Sequence, residues 1–250
     1  MPKFNGAQVA RLNGREYGLG FQPNRDPRHW MAYESPLRVE ASERTSKFWN
    51  MGPIRLDQNG DSSCVGYSGS HLLANGPNTQ SDIIITNETA DLCYREAQKR
   101  DPWPGESYEG SSVSGFAAYA KERGWVGDYF WAYDIQTTVN MVLERGPVLV
   151  GTTWYNSMFR TLPNGVIVLN PSSGVAGGHA YLINGVSLKA DYGEGKIGYF
   201  RFQNSWGAEG SPFLKGPPWG YLDKGYARIA IEDFTVLLED DGEVLVAAEL

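Results

Sequence analysis

The apolar pattern of this 250-residue chain changes period near Trp125, and that change limits the fold more than any other feature of the sequence. Ahead of it lie segments with helical start and stop signals. Ser62 to about Asn75 opens on a Ser/Asp cluster, carries Val65, Leu72 and Leu73 on one face and runs into Asn-Gly-Pro. Asn87 to Arg100 and Ser112 to Arg123 each begin on a capping residue and are followed by Pro or Gly. Gly66 and Gly69 inside the first helix each cost roughly 1 kcal/mol against Ala, which implies that another backbone packs closely there. Beyond Trp125, after a short helix at Thr137 to Arg145, come brief apolar runs bounded by Gly, Pro and Asn: Val148–Trp154, Val166–Leu169, Ala180–Val186, Ile197–Phe202 and Tyr226–Ile231. These read as strands. Asp240-Asp241-Gly242 between two apolar runs predicts a C-terminal hairpin. Helices first and strands second give an α+β protein with two subdomains, and a cleft between them is the default place for a site.

Residues 1 to about 55 are rich in turn formers (Gly14, Gly18, Gly20, Pro23, Pro27, Pro36) and show little sustained periodicity, so they read as an arm wrapped over the body. Thirty glycines, eight Trp and fourteen Tyr argue for many turns and an aromatic interior, against an all-helical architecture. A formal net charge of −7 disfavours a phosphate backbone or an anionic lipid surface as partner. No run approaches the ~18 apolar residues that cross a bilayer, and the opening residues lack the apolar stretch of a secretory signal. A cytoplasmic protein is therefore expected, with no nucleic-acid or membrane partner and the oligomeric state left open. Cys64 and Cys93 are too few for a disulfide framework, and no metal-ligand cluster is evident.

Cys64 stands at the start of the first predicted helix, where unpaired N–H groups and the positive dipole end lower a thiol pKa. By position alone the favoured reading is a small buried hydrophobe; its company points to chemistry. Of three histidines, His71 lies about 10 Å along the same helix by the 1.5 Å rise per residue, whereas His179 opens a strand of the other half. Gly177-Gly178 beside it permits close backbone approach. His179 facing Cys64 across the cleft would take its proton, leaving a thiolate–imidazolium pair at rest. Asn204, after a strand that can run beside that of His179, supplies a neutral amide oxygen to fix the imidazole tautomer, and Trp206 shields the bond. Gln58, in the loop LDQNGDSS, can join the Cys64 backbone N–H as an oxyanion hole.

Gln58, Cys64 opening a helix, His179-Ala180 and Asn204-Ser205-Trp206-Gly207 together resemble the papain-like cysteine peptidases of bacterial or phage type. The offsets of 115 and 140 residues from Cys64 compare with about 130 to 150 in that family. The stretch Trp219 to Ile229 resembles the strand that follows the family's Asn, interrupted by an insertion, Ala208–Pro218, which is a candidate for an occluding loop in the family's manner; Glu109-Gly110-Ser111-Ser112 resembles the segment beside the substrate backbone. The resemblance implies a papain-like two-subdomain fold, with a helical left subdomain, an antiparallel β-barrel-like right subdomain and the active-site cleft between them. Its expected organisation is an arm (1–55), a catalytic domain (56–235, helical to about 124) and the hairpin (236–250). It implies a polypeptide substrate, hydrolysis through a thioacyl-enzyme, no cofactor and no metal. Catalysis falls to Cys64, His179, Asn204 and Gln58, and substrate binding to Gly110, Ser112, Ala180 and Trp206, with an apolar side chain accepted beside Gly110, Ser112 and Ala180. Asp61 and Val65 replace the family's Cys and Trp, so its loop disulfide is missing, and the arm is too short for the family's inhibitory propeptide. A peptide-binding or structural protein on an inactive scaffold, and an amidase or transferase, are the alternatives.

Overall fold

The computed structural model describes residues 3, 4, 8–12, 14–50, 52–77, 79–105, 107–162, 164–191, 195–207 and 226–248. Helix α1 (Cys64–Ala74), α2 (Asn87–Gln98) and α3 (Val113–Glu122) form the helical layer. Thr86 caps α2 through Oγ1 and the Thr89 amide, while Asn87 instead accepts the Asp57 amide; Ser112 caps α3 through the Gly115 amide. The α1–α2 crossing is close because a Cβ on Gly66 would lie 2.4 Å from both the Ala90 carbonyl oxygen and the Tyr94 nitrogen. At Gly69 the neighbour is the Phe116 ring, a side chain rather than the expected backbone.

The second layer is an antiparallel sheet in the order β4 (Tyr129–Ala132), β9 (Glu243–Ala247), β5 (Val148–Tyr155), β6 (Val175–Asp191), β7 (Ile197–Gln203), β8 (Tyr226–Ala230), with β3 (Ser46–Phe48) also paired to β6. Successive strand residues point to opposite faces, and both faces are buried. Leu149, Ala180, Leu182 and Leu245 pack with α1–α3; Val148, Val150, Tyr181, Ile183, Val244 and Val246 pack on the other side with α4 (Ile135–Glu144) and α5 (Ile231–Glu239). The sheet thus separates two apolar cores. His179 and Asn204 lie near one end of neighbouring strands, since Leu182 pairs with Gln203.

Three expectations need correction. Val166–Leu169 makes isolated bridges from Val166 to Arg228 and from Ile167 to Thr161, with no continuous strand. The C-terminal hairpin is instead a helix followed by a strand. Phe234, Leu237 and Leu238 fall on one helical face and are buried in α5, while β9 leaves the turn at Asp241 (φ 60°) to pair with β4 and β5. The arm also holds regular structure: β1 (Val9–Leu12) and β2 (Arg15–Gly18) form a ribbon turned at Gly14 (φ 78°), and β3 joins the main sheet. Ala208–Pro218 and most of Trp219 to Ile229 lie outside the described residues. No described helix is long and apolar enough to cross a membrane.

Candidate active site

Cys64 is the first residue of α1, where Ser63 precedes the helix without a side-chain cap bond. Its Sγ accepts the Ala180 amide at 3.3 Å, so the sulfur sits against the strand residue that follows His179. His179 Nε2 is 2.9 Å from Asn204 Oδ1, which also accepts the Ser205 amide at 2.7 Å. The Asn204 oxygen is a pure acceptor, so the ring carries its proton on Nε2 and its Nδ1, buried and without a partner, is left as the base. Trp206 stacks on the imidazole at 4.7 Å and Trp154 meets it edge-on at 4.9 Å. Both indoles keep water from the His179–Asn204 bond.

Gln58 is buried on the same side. Its Nε2 donates to the Asp61 carbonyl at 2.7 Å, its Oε1 accepts from Ser205 Oγ and its backbone N–H donates to the Ser205 carbonyl. One amide hydrogen is therefore committed within the loop that leads to Cys64. His71 is buried with Nε2 facing the Leu56 amide and takes no part. His29 stacks on Trp131, and its Nδ1 lies against the Tyr133 hydroxyl. Cys93 is a buried residue of α2.

The cleft is filled by the arm. Tyr17-Gly18-Leu19-Gly20-Phe21 alternates buried apolar residues with glycines, and the glycines let its backbone lie flat on the wall. A Cβ on Gly18 would stand 1.9 Å from the Asp61 carbonyl oxygen, and one on Gly20 (φ 127°) 2.1 Å from that of Ser62. On one side Gly20 and Phe21 donate to the Gly178 carbonyl at 2.7 and 2.8 Å. On the other, Ser111 donates to Gly20 and accepts from Gln22, both at 2.9 Å. Trp206 Nε1 donates to Gly18 at 2.9 Å, and Arg15 pairs with Asp57 at 2.6 Å. The Phe21 ring fills the space that a Cβ on Gly151 would occupy and shares one apolar cluster with Val113, Leu149 and Ala180.

This cover corrects the expectation of a resting ion pair. Cys64 is 0% exposed, and burial pushes its thiol up to about 12 against the opposing pull of the Ala180, Phe21, Val65 and Cys64 amides. Burial likewise brings His179 down to about 3, although its bond to Asn204 favours the charged ring. The covered state is a thiol beside a neutral imidazole. The arm is long enough to occupy the cleft, contrary to the expectation from its length.

Of the residues expected to bind substrate, Gly110 (φ 88°) packs against the Gly20 carbonyl, Ala180 contacts the sulfur through its amide, and Trp206 meets both His179 and the arm. Ser112 is committed to capping α3; the backbone that pairs with the arm belongs to Ser111. The signal for the arm was the alternation at Tyr17–Phe21, a stretch with one side-chain-free face. Among the described residues no group of three His, Cys, Asp or Glu could hold a metal ion.

The fold is that of the papain-like cysteine proteases, in two subdomains. The chain superposes on xylellain, a cysteine protease from Xylella fastidiosa, with a TM-score of 0.65 and 15% identity, over 96% of this chain and 100% of that one. Against procathepsin B S9 from Trypanosoma congolense the TM-score is 0.64 at 12% identity, covering 92% and 85% of the two chains. Against the proform of Amb a 11, a cysteine protease and ragweed pollen allergen, it is 0.57 at 14% identity, covering 84% and 67%. No protein-family model matches the sequence, and no curated protein does.

Proposed function

We propose that the chain is a cysteine-type peptidase that its own N-terminal arm holds latent. The observation that carries this reading is the convergence of three residues distant in sequence: the sulfur of Cys64 against Ala180, the preceding His179 with Nδ1 unpartnered, and Nε2 held by Asn204. With the arm displaced, the desolvation that keeps both groups neutral is relieved and the proton passes from Sγ to His179. The thiolate attacks the carbonyl carbon of a peptide bond; the oxyanion is stabilised by the Cys64 amide and the remaining Gln58 amide hydrogen. His179 gives its proton to the leaving amine, then takes one from water, whose oxygen attacks the thioester. Collapse releases the acid and returns the proton to the Cys64–His179 pair. Asn204 and Trp206 keep the ring aligned. Phe21 in its apolar pocket marks where an apolar substrate side chain lodges, beside Gly110 and Ala180.

The test uses the full chain with Gly18→Val and Gly20→Val. Each added side chain collides with backbone only when the arm is docked, a penalty of about 1–3 kcal/mol per site that the free arm does not feel. Hydrolysis of casein and of internally quenched peptides is expected to rise at least ~10-fold, the factor that about 1.4 kcal/mol supplies, and to vanish with Cys64→Ala. If iodoacetamide labels Cys64 in the displaced variant but no peptide bond is cut, the reading is wrong; products carrying a transferred amine instead of a free acid would assign a transferase.

A further inference from the structure

Arg201 and Arg228 stand directly opposite each other on β7 and β8, and among the described residues neither forms an ion pair. Phe200, Phe202, Ala227 and Ile229 alternate with them into the apolar core, so both arginines lie on the other face of the sheet, partly buried. Arg201 donates Nε to Asn184 Oδ1 at 2.9 Å and Nη2 to the Asn184 and Trp49 carbonyls at 3.2 and 3.1 Å. Arg228 donates Nη1 to the Asn164 carbonyl at 3.1 Å. These neutral acceptors hold both side chains in place and leave Nη1 of Arg201 and Nη2 of Arg228 unbonded at the surface, while Nε of Arg228 is buried without a partner. Phe48 of β3, 41% exposed, lies beneath the Arg201 guanidinium at 4.9 Å, and Tyr199 beneath that of Arg228 at 4.8 Å. Like charges facing each other across a strand pair repel. Burial lowers the Arg201 pKa from its ordinary value and Arg228 adds to the effect; Tyr226 and Tyr199 oppose it, and no carboxyl group does.

We propose that this arginine pair is a docking site outside the cleft for an acidic segment of a polypeptide, whose carboxylate bridges Arg201 and Arg228 while a neighbouring apolar side chain lies on Phe48. That the polypeptide is a substrate rests on the peptidase reading; the docking does not. Two guanidinium edges with free N–H groups match the forked oxygens of a carboxylate, and their uncompensated charge is neutralised by it. The exposed Phe48 ring favours a peptide over a bare inorganic anion, which would leave that ring in water. The net charge of −7 opposes a long polyanion at a distance, but it is screened beyond about 8 Å, so a short acidic segment in direct contact is the better match. Arg201 precedes Asn204 by three residues, about 10 Å of strand, which places a docked chain near the active site. Among the described residues the arm pairs with Gly178 and Ser111 and not with this face, so the site stays open while the cleft is covered.

The experiment follows, by fluorescence anisotropy, the binding of labelled peptides to the full chain carrying Cys64→Ala; the peptides differ only in Glu, Gln or Lys beside a leucine. Glu is expected to bind at least ~10-fold more tightly than Gln and Lys more weakly than either, with the Glu advantage shrinking in about 0.5 M salt. Arg201→Gln with Arg228→Gln should bring the Glu-to-Gln ratio to about one, and Arg228→Gln alone, which spares the Asn184 and Trp49 bonds, should reduce it. A benzophenone side chain in place of the leucine, cross-linked to the chain with both arginines intact and mapped by mass spectrometry, should mark Phe48 or Tyr199. Equal binding of Glu and Gln peptides, a preference that survives the double substitution, or cross-links confined to the cleft overturn the site. Protection of Arg228 from phenylglyoxal by inorganic phosphate and not by the Glu peptide overturns it as well, in favour of a free anion. The Gly18→Val/Gly20→Val chain, given the same peptides, separates the two readings. Docking as expected without hydrolysis keeps the site and overturns the peptidase, whereas hydrolysis with equal binding of Glu and Gln peptides overturns the site and leaves the peptidase.

Discussion

Burial drives both members of the Cys64–His179 pair toward their neutral forms, the thiol to about 12 and the imidazole to about 3. Neither group titrates near neutrality while the arm is docked, so the alkylation rate of Cys64 in the full chain should be slow and show no inflection between about pH 5 and 9. Cys93, which burial raises to about 11, gives no competing fast phase. In the Gly18→Val/Gly20→Val variant, labelling should accelerate and show an inflection below the ordinary thiol value of about 8.5, which His179→Ala moves back up. Peptide mapping by mass spectrometry after timed iodoacetamide treatment reads both; fast labelling of the wild-type chain with an inflection below about pH 9 would show that the arm does not seal the sulfur. The convergence of Cys64, His179 and Asn204 was legible in the sequence because each has a local mechanical reason: a helix start for Cys64, glycines beside His179, an amide at the end of the next strand for Asn204. Their protonation was not, since it depends on desolvation by a segment some forty residues upstream. That the arm pairs with Ser111, within the Glu109–Ser112 segment, was not legible for a related reason: motif spacing locates the cleft wall, while the register of the chain pairing with it is a tertiary property.

At the scale of elements, the helices were readable from caps and stops and most strands from short bounded apolar runs. The misreading of α5 arose where a run without clear alternation, TVLLE, met a turn signal, Asp240-Asp241-Gly242, that serves a helix end as well as a hairpin. The sharpest legible packing feature was Gly66. Its substitution by Ala would place a methyl carbon 2.4 Å from backbone atoms of α2, which cannot rotate away as a side chain can. Gly66→Ala should therefore destabilise the protein by about 1–3 kcal/mol despite the better helix propensity of Ala. Gly69→Ala should be milder where the Phe116 ring can shift. Urea denaturation followed by Trp fluorescence orders the two; a more stable Gly66→Ala protein would contradict the close α1–α2 crossing.

At the scale of the whole molecule, the arm is anchored beyond the cleft by a carboxyl group that the active site does not use. Glu243 lies on β9 opposite Gly151, whose missing side chain makes room for Phe21, and it accepts the backbone N–H of Asn24. Arg25 next to it donates to the Leu238 and Gly242 carbonyls and stacks on Tyr133. Burial pushes the Glu243 carboxyl from an ordinary 4.5 up to about 8; Asn24 and Arg25 oppose the shift and Asp241 adds to it. Between these values the native chain holds a proton that the unfolded chain lacks, so this contribution to stability is complete below about pH 4.5 and is lost as pH rises toward 8. His71 and His179 act with the opposite sign: both are brought down to about 3, and their neutral burial costs stability as pH falls below the ordinary 6.5. The two trends meet near pH 6.5, leaving Glu243 as the dominant slope from there to about 8. Thermal or urea midpoints should peak near pH 6.5 and decline on the alkaline side by up to a few kcal/mol at 1.36 kcal/mol per pKa unit. Glu243→Gln keeps an acceptor for Asn24 but cannot ionise, so it should remove the alkaline decline and leave the acidic one. An unchanged alkaline slope in that variant would mean that some other group anchors the arm's response to pH.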